Sequence, residues 1–295
     1  MSNKFSIPTP PDFSFRTAVG GHGWYDLPPF VYDEAAGKLG YTYHGRSGRV
    51  ESVTILADSG SLSVELATAK GDVEEAAQVV RHILRFDEDF AEFYEAIRAE
   101  ESFAWVGNLK AGRLLRSATV FEDLVKTICT TNCSWSLTRS MTNNLVDKLG
   151  SSSADGQKAF PTAAAMAWST PDFFRDEIRA GYRSPYFVEL AESVAAGTID
   201  PEAWLQSELP TPELKKEIKK IKGIGDYAAE NLLKLLGRYD GMALDSWLRG
   251  GFYKMHNRER PCPDKKIEKH YKKFGKWKGL AIWCDMTRDW FERAG

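Results

Sequence analysis

The strongest constraint on the fold is a change in hydrophobic periodicity part-way along the chain. The early segments 11–19, 29–33, 38–44, 49–56 and 61–67 are short, rich in aromatic and β-branched residues, and partly alternating. Turn sequences rich in glycine separate them, as is typical of consecutive strands. We therefore expect an antiparallel sheet in the first part of the chain.

Beyond Asp72 the apolar residues recur at helical spacing instead. The clearest helices are predicted at 73–86, 89–99, 119–130, 134–149, 171–179, 184–197, 211–221, 226–236 and 264–294, the last with a break. Strands followed by helices indicate an α+β chain or two domains. We place the boundary near residue 100, with a sheet domain that includes helices at 1–100 and a helical domain at 101–295.

Charge is distributed unevenly along the 295 residues, although the formal net charge is only −2. Residues 1–100 hold 9 basic and 16 acidic residues, whereas residues 211–280 hold 18 basic and 9 acidic ones. A basic segment in a near-neutral chain is typical of a phosphate-binding surface or of a solvated helix face.

Several function classes are excluded or poorly supported. No run of 18 apolar residues occurs, so a membrane protein is excluded, and the first residues lack the apolar stretch of a secretory signal. The four cysteines are scattered, which argues against a disulfide scaffold. No CxxC pair, HExxH, GxSxG or Walker A motif is present, so zinc, iron–sulfur and P-loop chemistry are not expected.

One glycine motif resembles a dinucleotide fingerprint but has the wrong context. Gly223, Gly225 and Ala228 match GxGxxA, which requires a preceding buried strand. Residues 213–222 instead have helical spacing and many charges, so the glycines join one helix to another. Two short amphipathic helices with a tight Gly-x-Gly turn form a helix-hairpin-helix.

This hairpin has the features of a phosphate-binding site. The N–H groups of Gly225 and Asp226 point out of a helix N-terminus, which favours an anion. Lys219, Lys220 and Lys222 lie beside it. A DNA phosphate fits such a site without base contacts, although an ordinary helix corner has the same sequence pattern.

Further along the chain, Asp245 follows a glycine-containing loop and precedes a new helix. A carboxylate at this position either caps the helix or faces a pocket. Together with the hairpin at 221–225, it resembles the signature of the helix-hairpin-helix (HhH-GPD) DNA glycosylase superfamily.

The resemblance covers roughly residues 105–290, and it is greatest for the 8-oxoguanine DNA glycosylase branch. Five segments look like landmarks of that branch, in the same order, at 112–116, 128–132, 160–162, 181–183 and 275–279. Both this branch and the AlkA-type 3-methyladenine DNA glycosylases carry an N-terminal antiparallel sheet. The resemblance therefore implies a TBP-like sheet domain followed by an all-helical glycosylase core.

The activity implied is hydrolysis of the N-glycosidic bond of a damaged purine, alkylated or oxidised, in base excision repair. The partner is duplex DNA, from which the damaged nucleotide is flipped. Asp245 would stabilise the positive charge that develops on the sugar and orient the attacking water. We expect a monomer, cytoplasmic and nucleoid-associated in a bacterium or nuclear in a eukaryote. No cofactor or iron–sulfur cluster is expected, but backbone carbonyls of Ile221 and Ile224 would hold a monovalent cation, as in relatives.

Other site residues follow by position from the same resemblance. Asn132 would fill the space left by the flipped base, Tyr182 would wedge the opposite strand, and Arg183 is retained among the DNA contacts. The pocket walls would be Tyr227, Trp247 and Trp283, with Ile282 in place of a glutamine and Met286 in place of a stacking phenylalanine.

At Tyr227 the sequence differs from the bifunctional members of the family, and this difference decides which reaction we expect. Bifunctional members carry a lysine there that attacks the sugar, and a phenol cannot form that imine. We therefore expect a monofunctional enzyme. The alternatives are a bifunctional glycosylase that uses another amine, a catalytically silent protein that binds damaged DNA, and a helical scaffold without DNA affinity.

Overall fold

A five-stranded antiparallel sheet forms one side of the molecule, in a computed structural model that describes residues 3–292. The strand order is β1-β5-β4-β3-β2. The strands are β1 (Asn3–Pro8), β2 (Val31–Asp33), β3 (Lys38–His44), β4 (Val50–Asp58) and β5 (Ser61–Leu66).

Helices make up most of the remaining chain. They are α1 (Phe15–Gly20), α2 (Val73–Ile83), α3 (Ala91–Ile97), α4 (Ala104–Leu109), α5 (Val120–Thr130), α6 (Trp135–Leu149), α7 (Ala163–Ala167), α8 (Pro171–Asp176), α9 (Ser184–Ala195), α10 (Thr211–Ile218), α11 (Asp226–Leu235), α12 (Ser246–His256), α13 (Asp264–Tyr271) and α14 (Lys278–Glu292). Short 3-10 turns lie at Gly23–Asp26, Glu101–Phe103, Gly181–Arg183, Glu202–Gln206 and Lys272–Trp277. The α+β fold class is therefore confirmed, including the break before α14. The predicted helix end at residue 294 lies outside the described residues.

The prediction of a strand at 11–19 is wrong, because this segment contains α1. Its alternation of apolar residues imitates a strand, but a contact distant in sequence holds the helix. The Thr17 hydroxyl lies 3.2 Å from the Leu109 carbonyl oxygen and 3.1 Å from that of Lys110. Strand β1, which ends in a proline, was not predicted. It pairs with β5 in the register Phe5 to Val64.

The buried apolar residues form two clusters that do not divide at residue 100. The first cluster runs from residue 7 to 115 and resumes from 235 to 291, so α12, α13 and α14 belong to the same apolar core as the sheet. The second cluster lies within 120–236. We call these parts the sheet lobe and the helical lobe.

The guanidinium of Arg85 joins the two lobes from a fully buried position. It donates to the carbonyl oxygens of Leu114 at 2.6 Å, Lys234 at 2.9 Å and Leu235 at 2.8 Å. The same group pairs with Glu88. Arg85 thus brings a charged donor to the last carbonyls of α11.

A second set of hydrogen bonds joins the lobes at the start of α5. The Tyr41 hydroxyl of β3 donates to Glu122 at 2.8 Å, and the Trp24 indole donates to Asp123 at 2.7 Å. Burial raises the pKa of both carboxyl groups. These bonds hold α5 against the sheet lobe.

Two further observations bear on the sequence-based exclusions. All four cysteines, which lie within the described residues, are free thiols. No helix within 3–292 has both the length and the apolar character needed to cross a membrane.

Replacing Arg85 tests how strongly the two lobes depend on this one side chain. We expect Arg85→Met to lower the free energy of unfolding by about 3–5 kcal/mol, because it removes the buried charged donor from the carbonyls of Leu114, Lys234 and Leu235 and the Arg85 partner from Glu88. Arg85→Lys keeps the charge but loses the planar set of guanidinium donors. Its free energy of unfolding should lie between that of Arg85→Met and that of the wild type. Urea unfolding measures this, and the exposed Arg98→Met variant should leave the midpoint unchanged. Equal midpoints for Arg85→Met and Arg98→Met would contradict the expectation.

Candidate active site between the lobes

A cavity of about 700 Å³ lies between the two lobes, within the size range of small-ligand sites. The sheet lobe contributes a loop after α1 and side chains at α12 and α14, and the helical lobe contributes α5, α6 and α11. The lining residues are His22, Gly23, Trp24, Tyr25, Asp26, Glu34, Thr127, Thr130, Cys133, Trp135, Thr138, Tyr227, Asn231, Leu235, Asp245, Trp247, Trp283 and Trp290.

Three tryptophans form one wall of this cavity. The ring centroids of Trp247, Trp283 and Trp290 lie 5.7–5.9 Å apart in each pair. The Trp283 indole donates to the Gly21 carbonyl at 2.8 Å, which fixes its orientation. Such flat apolar faces are suited to stacking against a planar ring. Trp247 and Trp283, both predicted as pocket walls, line the cavity here.

Trp135, at the start of α6, lies across from the loop after α1. Its indole donates to Asp26 at 2.7 Å. It approaches the loop so closely that a Cβ on Gly23 would lie 2.7 Å from the indole ring. The glycine at position 23 therefore lets the Trp135 ring lie directly against the backbone of this loop.

Asp245 combines the two roles that the sequence left open. Its side chain caps α12, since it accepts a hydrogen bond from the Leu248 N–H at 2.7 Å. The same half-buried carboxylate lines the cavity. The cap occupies one oxygen and restricts rotation of the group, so the other oxygen keeps a fixed direction.

Tyr227, in the first turn of α11, lies beside this carboxylate. Burial, reinforced by the charge of Asp245, raises the pKa of Tyr227 to about 12. The phenol is therefore neutral at ordinary pH. It provides the cavity with an aromatic face and a hydroxyl, and it provides no amine.

Lys234, two turns further along α11, is buried beneath the tryptophan wall. Its ammonium lies 5.4 Å from the Trp283 ring and donates to the Met242 carbonyl at 3.3 Å. Burial lowers the pKa of Lys234 to about 8. It does not line the cavity, but its charge lies close behind one wall.

The rim of the cavity carries two of the predicted DNA contacts. Asn132 is exposed in the turn after α5, with a left-handed backbone at φ 46° that asparagine tolerates. Its amide donates to the Tyr182 hydroxyl at 3.2 Å. The structure therefore brings these two exposed side chains together beside Thr130 and Cys133, which line the cavity.

Arg183 does not lie with them on the surface, and its prediction as a DNA contact is wrong. Only 3% of its surface is exposed. Its guanidinium donates to the carbonyls of Ile128 and Thr131. Arg183 therefore holds the C-terminal end of α5 and the turn that carries Asn132.

The hairpin between α10 and α11 has the predicted form. Gly223 has φ +89°, and a Cβ there would lie 2.7 Å from the Tyr186 ring, so only glycine fits. Gly225 is exposed, and helix α11 begins directly after it at Asp226. Since α11 also carries Tyr227, the hairpin lies next to the cavity.

The three hairpin lysines that are predicted to contact DNA form ion pairs with acidic neighbours in this structure. Lys219 lies 3.0 Å from Asp226, Lys220 lies 2.6 Å from Glu217, and Lys222 lies 2.6 Å from Glu189. All three lysines are at least partly exposed, so these pairs are weak and a phosphate can compete for them.

The two residues predicted to hold a cation through their backbone have buried side chains. The Ile221 carbonyl accepts a hydrogen bond from the Ile224 N–H at 3.1 Å. One lone pair of that oxygen is thus used within the turn. The cation stays a prediction.

Ile282 and Met286 do not line the cavity, so their prediction as pocket walls is wrong. Ile282 is fully buried, and Met286 is 9% exposed. The sulfur of Met286 lies against α12, where a Cβ on Gly251 would be only 2.5 Å away. These positions face the core of the sheet lobe because α14 packs against α12, whereas Trp283 and Trp290 face the cavity.

Several cavity residues escaped the sequence analysis, namely His22, Trp24, Asp26, Thr127, Trp135 and Trp290. The first three belong to a loop that was interpreted as a turn between strands. The sequence feature that could have indicated this loop is the pair of glycines that flank His22. Such glycines often mark a place where another group approaches the backbone closely.

The described residues also contain one cluster of metal-ligand side chains, away from the cavity. His256, His270 and Asp285 offer atoms within 4.8 Å of one another. Asp285 accepts a hydrogen bond from Tyr271 at 2.6 Å and lies 2.7 Å from His256. These two contacts account for the positions of His256 and Asp285.

No protein-family model and no curated protein matches the sequence. Solved structures do match. A 3-methyladenine DNA glycosylase from Archaeoglobus fulgidus superposes with a TM-score of 0.79 at 19% identity, covering 98% of this chain and 99% of that one. The protein MBOgg1, in complex with a low-affinity DNA ligand, gives 0.77 at 18% identity, covering 97% and 96%.

A third match is an 8-oxoguanine glycosylase/lyase from Clostridium acetobutylicum, in complex with double-stranded DNA that contains cytosine opposite 8-oxoguanine. Its TM-score is 0.66 at 18% identity, covering 91% of this chain and 99% of that one. The chain has the fold of these DNA glycosylases. The helix-hairpin-helix and the sheet therefore belong to one known architecture.

The buried Lys234 predicts an unusual dependence of stability on pH. Its pKa is about 8 in the folded protein and 10.5 ordinarily, so between these values the unfolded chain binds a proton that the folded chain does not. Stability therefore rises with pH in this window. Relative to Lys234→Met, we expect the wild type to gain about 2 kcal/mol between pH 7 and pH 9.5.

Urea unfolding of both proteins across this range measures the difference. The exposed Lys216→Met variant serves as the control and should track the wild type at every pH. A difference between wild type and Lys234→Met that stays constant with pH would show that the buried amine remains charged.

Proposed function

We propose that this protein is a monofunctional DNA glycosylase that hydrolyses the N-glycosidic bond of a damaged purine, alkylated or oxidised, in base excision repair. The observation that carries the proposal is a capped carboxylate, Asp245, in an aromatic cavity of base-accommodating size. The fold shared with 3-methyladenine and 8-oxoguanine DNA glycosylases supports the same conclusion.

Substrate binding would begin with extrusion of the damaged nucleotide from the duplex, at a cost of a few kcal/mol. Asn132 is exposed at the rim and would occupy the vacated space in the stack. Tyr182, half-exposed and hydrogen-bonded to Asn132, would contact the opposite strand. The tryptophan wall would then stack on the extruded base.

Bond cleavage would break the bond between C1′ of the deoxyribose and the base nitrogen, and the electron pair leaves with the base. Positive charge then develops on the sugar, and a fixed carboxylate in a largely apolar cavity stabilises it. Asp245 would also accept a proton from the water that attacks C1′. The product is an abasic site with the strand intact.

The absence of strand cleavage follows from Tyr227. A lyase step needs an amine that forms an imine with C1′, and the phenol beside Asp245 cannot supply one. Lys234 is an amine on the same helix, but it is buried behind Trp283 and bonded to the Met242 carbonyl. Its enclosure supports the monofunctional reaction.

DNA binding would rely on the hairpin, where the N–H groups of Gly225 and Asp226 and the lysines at 219, 220 and 222 meet the backbone phosphates. A monovalent cation on the carbonyls of Ile221 and Ile224 would add positive charge there. We propose that the protein acts as a monomer on duplex DNA, without an iron–sulfur cluster.

Replacing Asp245 tests the catalytic role directly. Asn at this position keeps the α12 cap but has no negative charge, so we expect Asp245→Asn to fold and bind DNA normally. Base release from lesion-bearing duplexes should fall at least about a hundredfold. Release of base is measured by alkaline cleavage of the abasic product.

The control for this experiment is Asp58→Asn, an exposed residue at the end of β4. It should match the wild type in both binding and base release. If the wild type binds lesion-bearing duplexes but releases no base from any of them, the proposed glycosylase activity is overturned. The protein is then one that only binds damaged DNA.

Trapping with borohydride tests the absence of lyase activity. We expect no covalent adduct between the wild type and a duplex with an abasic site, because no lysine within residues 3–292 lines the cavity with Asp245. A bifunctional 8-oxoguanine glycosylase/lyase serves as the positive control. An adduct that disappears in Lys234→Met would assign the lyase step to that amine and contradict the monofunctional proposal.

A further inference from the structure

Three side chains that commonly bind metal ions meet where α12, α13 and α14 pack together. His256 is the last residue of α12, His270 lies in the last turn of α13, and Asp285 lies in the middle of α14. One ligand atom from each lies within 4.8 Å of the other two. Because the three come from different helices, no short metal-binding motif marks them in the sequence.

The carboxylate of Asp285 is buried and held in one orientation. Only 7% of the residue is exposed. Its Oδ2 atom accepts a hydrogen bond from the Tyr271 hydroxyl at 2.6 Å and lies 2.7 Å from Nε2 of His256. In protein metal sites the carboxylate ligands are themselves held by hydrogen bonds, and these bonds contribute to metal affinity. Tyr271 supplies such a bond to Asp285.

His270 is the member of the cluster whose position no hydrogen bond explains. Its ring centroid lies 4.5 Å from that of His256, yet its nitrogens form no hydrogen bond with another residue in the described part of the chain. Burial, followed by the charge of His256, lowers the pKa of His270, and Asp285 opposes this effect. The imidazole is therefore neutral at ordinary pH, with one nitrogen lone pair available to a ligand.

The separations in the cluster are close to those of a zinc site. With Zn–N and Zn–O bonds of about 2.1 Å, tetrahedral ligand atoms lie about 3.4 Å apart. The contact between His256 and Asp285 would open by about 0.7 Å from its 2.7 Å. The longest separation, which is at most 4.8 Å, would close by about 1.4 Å or less. Rotation of the two imidazoles is sufficient for such shifts.

The surroundings of the cluster also suit a bound cation. The buried ring of Phe252 lies beneath both imidazoles, at centroid distances of 5.2 Å from His256 and 5.3 Å from His270. An apolar floor of this kind limits the access of water to a metal. The nearby charge of Lys273 is paired with Glu100 at 2.5 Å, so it opposes a cation only weakly. Both histidines are partly exposed, which leaves an entry path from solvent.

We propose that His256, His270 and Asp285 form a zinc site, with water as the fourth ligand. Two imidazoles and a carboxylate are a donor set that suits Zn²⁺ and does not suit Mg²⁺, which prefers oxygen ligands. The ion would join α12, α13 and α14 to one another. The site lies away from the cavity, so this inference does not depend on the proposed glycosylase function.

Thermal unfolding of the full chain with and without metal tests the site. The protein is first stripped with a chelator, which is then removed. Because Zn²⁺ would bind the folded state, we expect it to raise the melting temperature by about 5 °C at a hundredfold excess over the dissociation constant. Mg²⁺ at the same concentration should leave the melting temperature unchanged. Calorimetric titration of the same protein should give one zinc ion per chain.

Three variants assign the effect to this cluster. His270→Gln removes a ligand that has no hydrogen bond to lose, so it should melt like the wild type without metal and lose the zinc-induced rise. Tyr271→Phe keeps all three ligands and removes the hydrogen bond to Asp285, so it should weaken zinc binding by about tenfold. Cys262→Ser is the control, because it removes a thiol from the loop between α12 and α13 and should bind zinc like the wild type.

Each of the other outcomes overturns the zinc site. If Zn²⁺ does not raise the melting temperature of the wild type, or if Mg²⁺ raises it equally, the cluster does not select zinc. If His270→Gln retains the full zinc-induced rise, the ion binds elsewhere on the chain. If Cys262→Ser loses the rise, the thiol is a ligand and the proposed set is wrong. None of these results bears on base release, which is measured separately.

Discussion

The structure depends above all on the buried guanidinium of Arg85. Its donors reach the carbonyls of Leu114, Lys234 and Leu235, and so they tie the sheet lobe to the end of α11. A charge in such a place is tolerable only because Glu88 and the carbonyls saturate it. Since α11 begins at the hairpin and carries Tyr227, the buried guanidinium of Arg85 fixes the relation between the hairpin and the cavity wall.

The chemistry of the cavity follows from how each lobe restrains its side chains. The N-terminus of α12 holds Asp245 by the hydrogen bond from Leu248, so the carboxylate is oriented before any ligand arrives. The indoles of Trp135 and Trp283 are anchored to the loop after α1. Binding of a ligand to such a site loses little side-chain entropy, because the walls and the carboxylate are already in position.

Sequence analysis succeeds where a long local pattern decides the outcome and fails where distant contacts decide it. Strands β2–β5, most of the long helices, the hairpin and the position of Asp245 follow from periodicity, capping chemistry and glycine spacing. The loop at 21–26 does not, because its shape depends on Trp135 and Trp283 from remote helices. Ile282 and Met286 were assigned to the wrong face of α14, since the packing of that helix on Gly251 decides which side meets the cavity.

The shared core of the sheet lobe has a consequence for the order in which the protein folds during synthesis. The apolar cluster of the helical lobe lies within 120–236, one continuous stretch of chain. The sheet is made first, yet its apolar cluster includes residues as late as 291, so that cluster is complete only when α12, α13 and α14 have been made. The helical lobe is therefore the first part able to complete its core on the ribosome, and the cavity forms only when α14 brings Trp283 and Trp290 against the loop after α1.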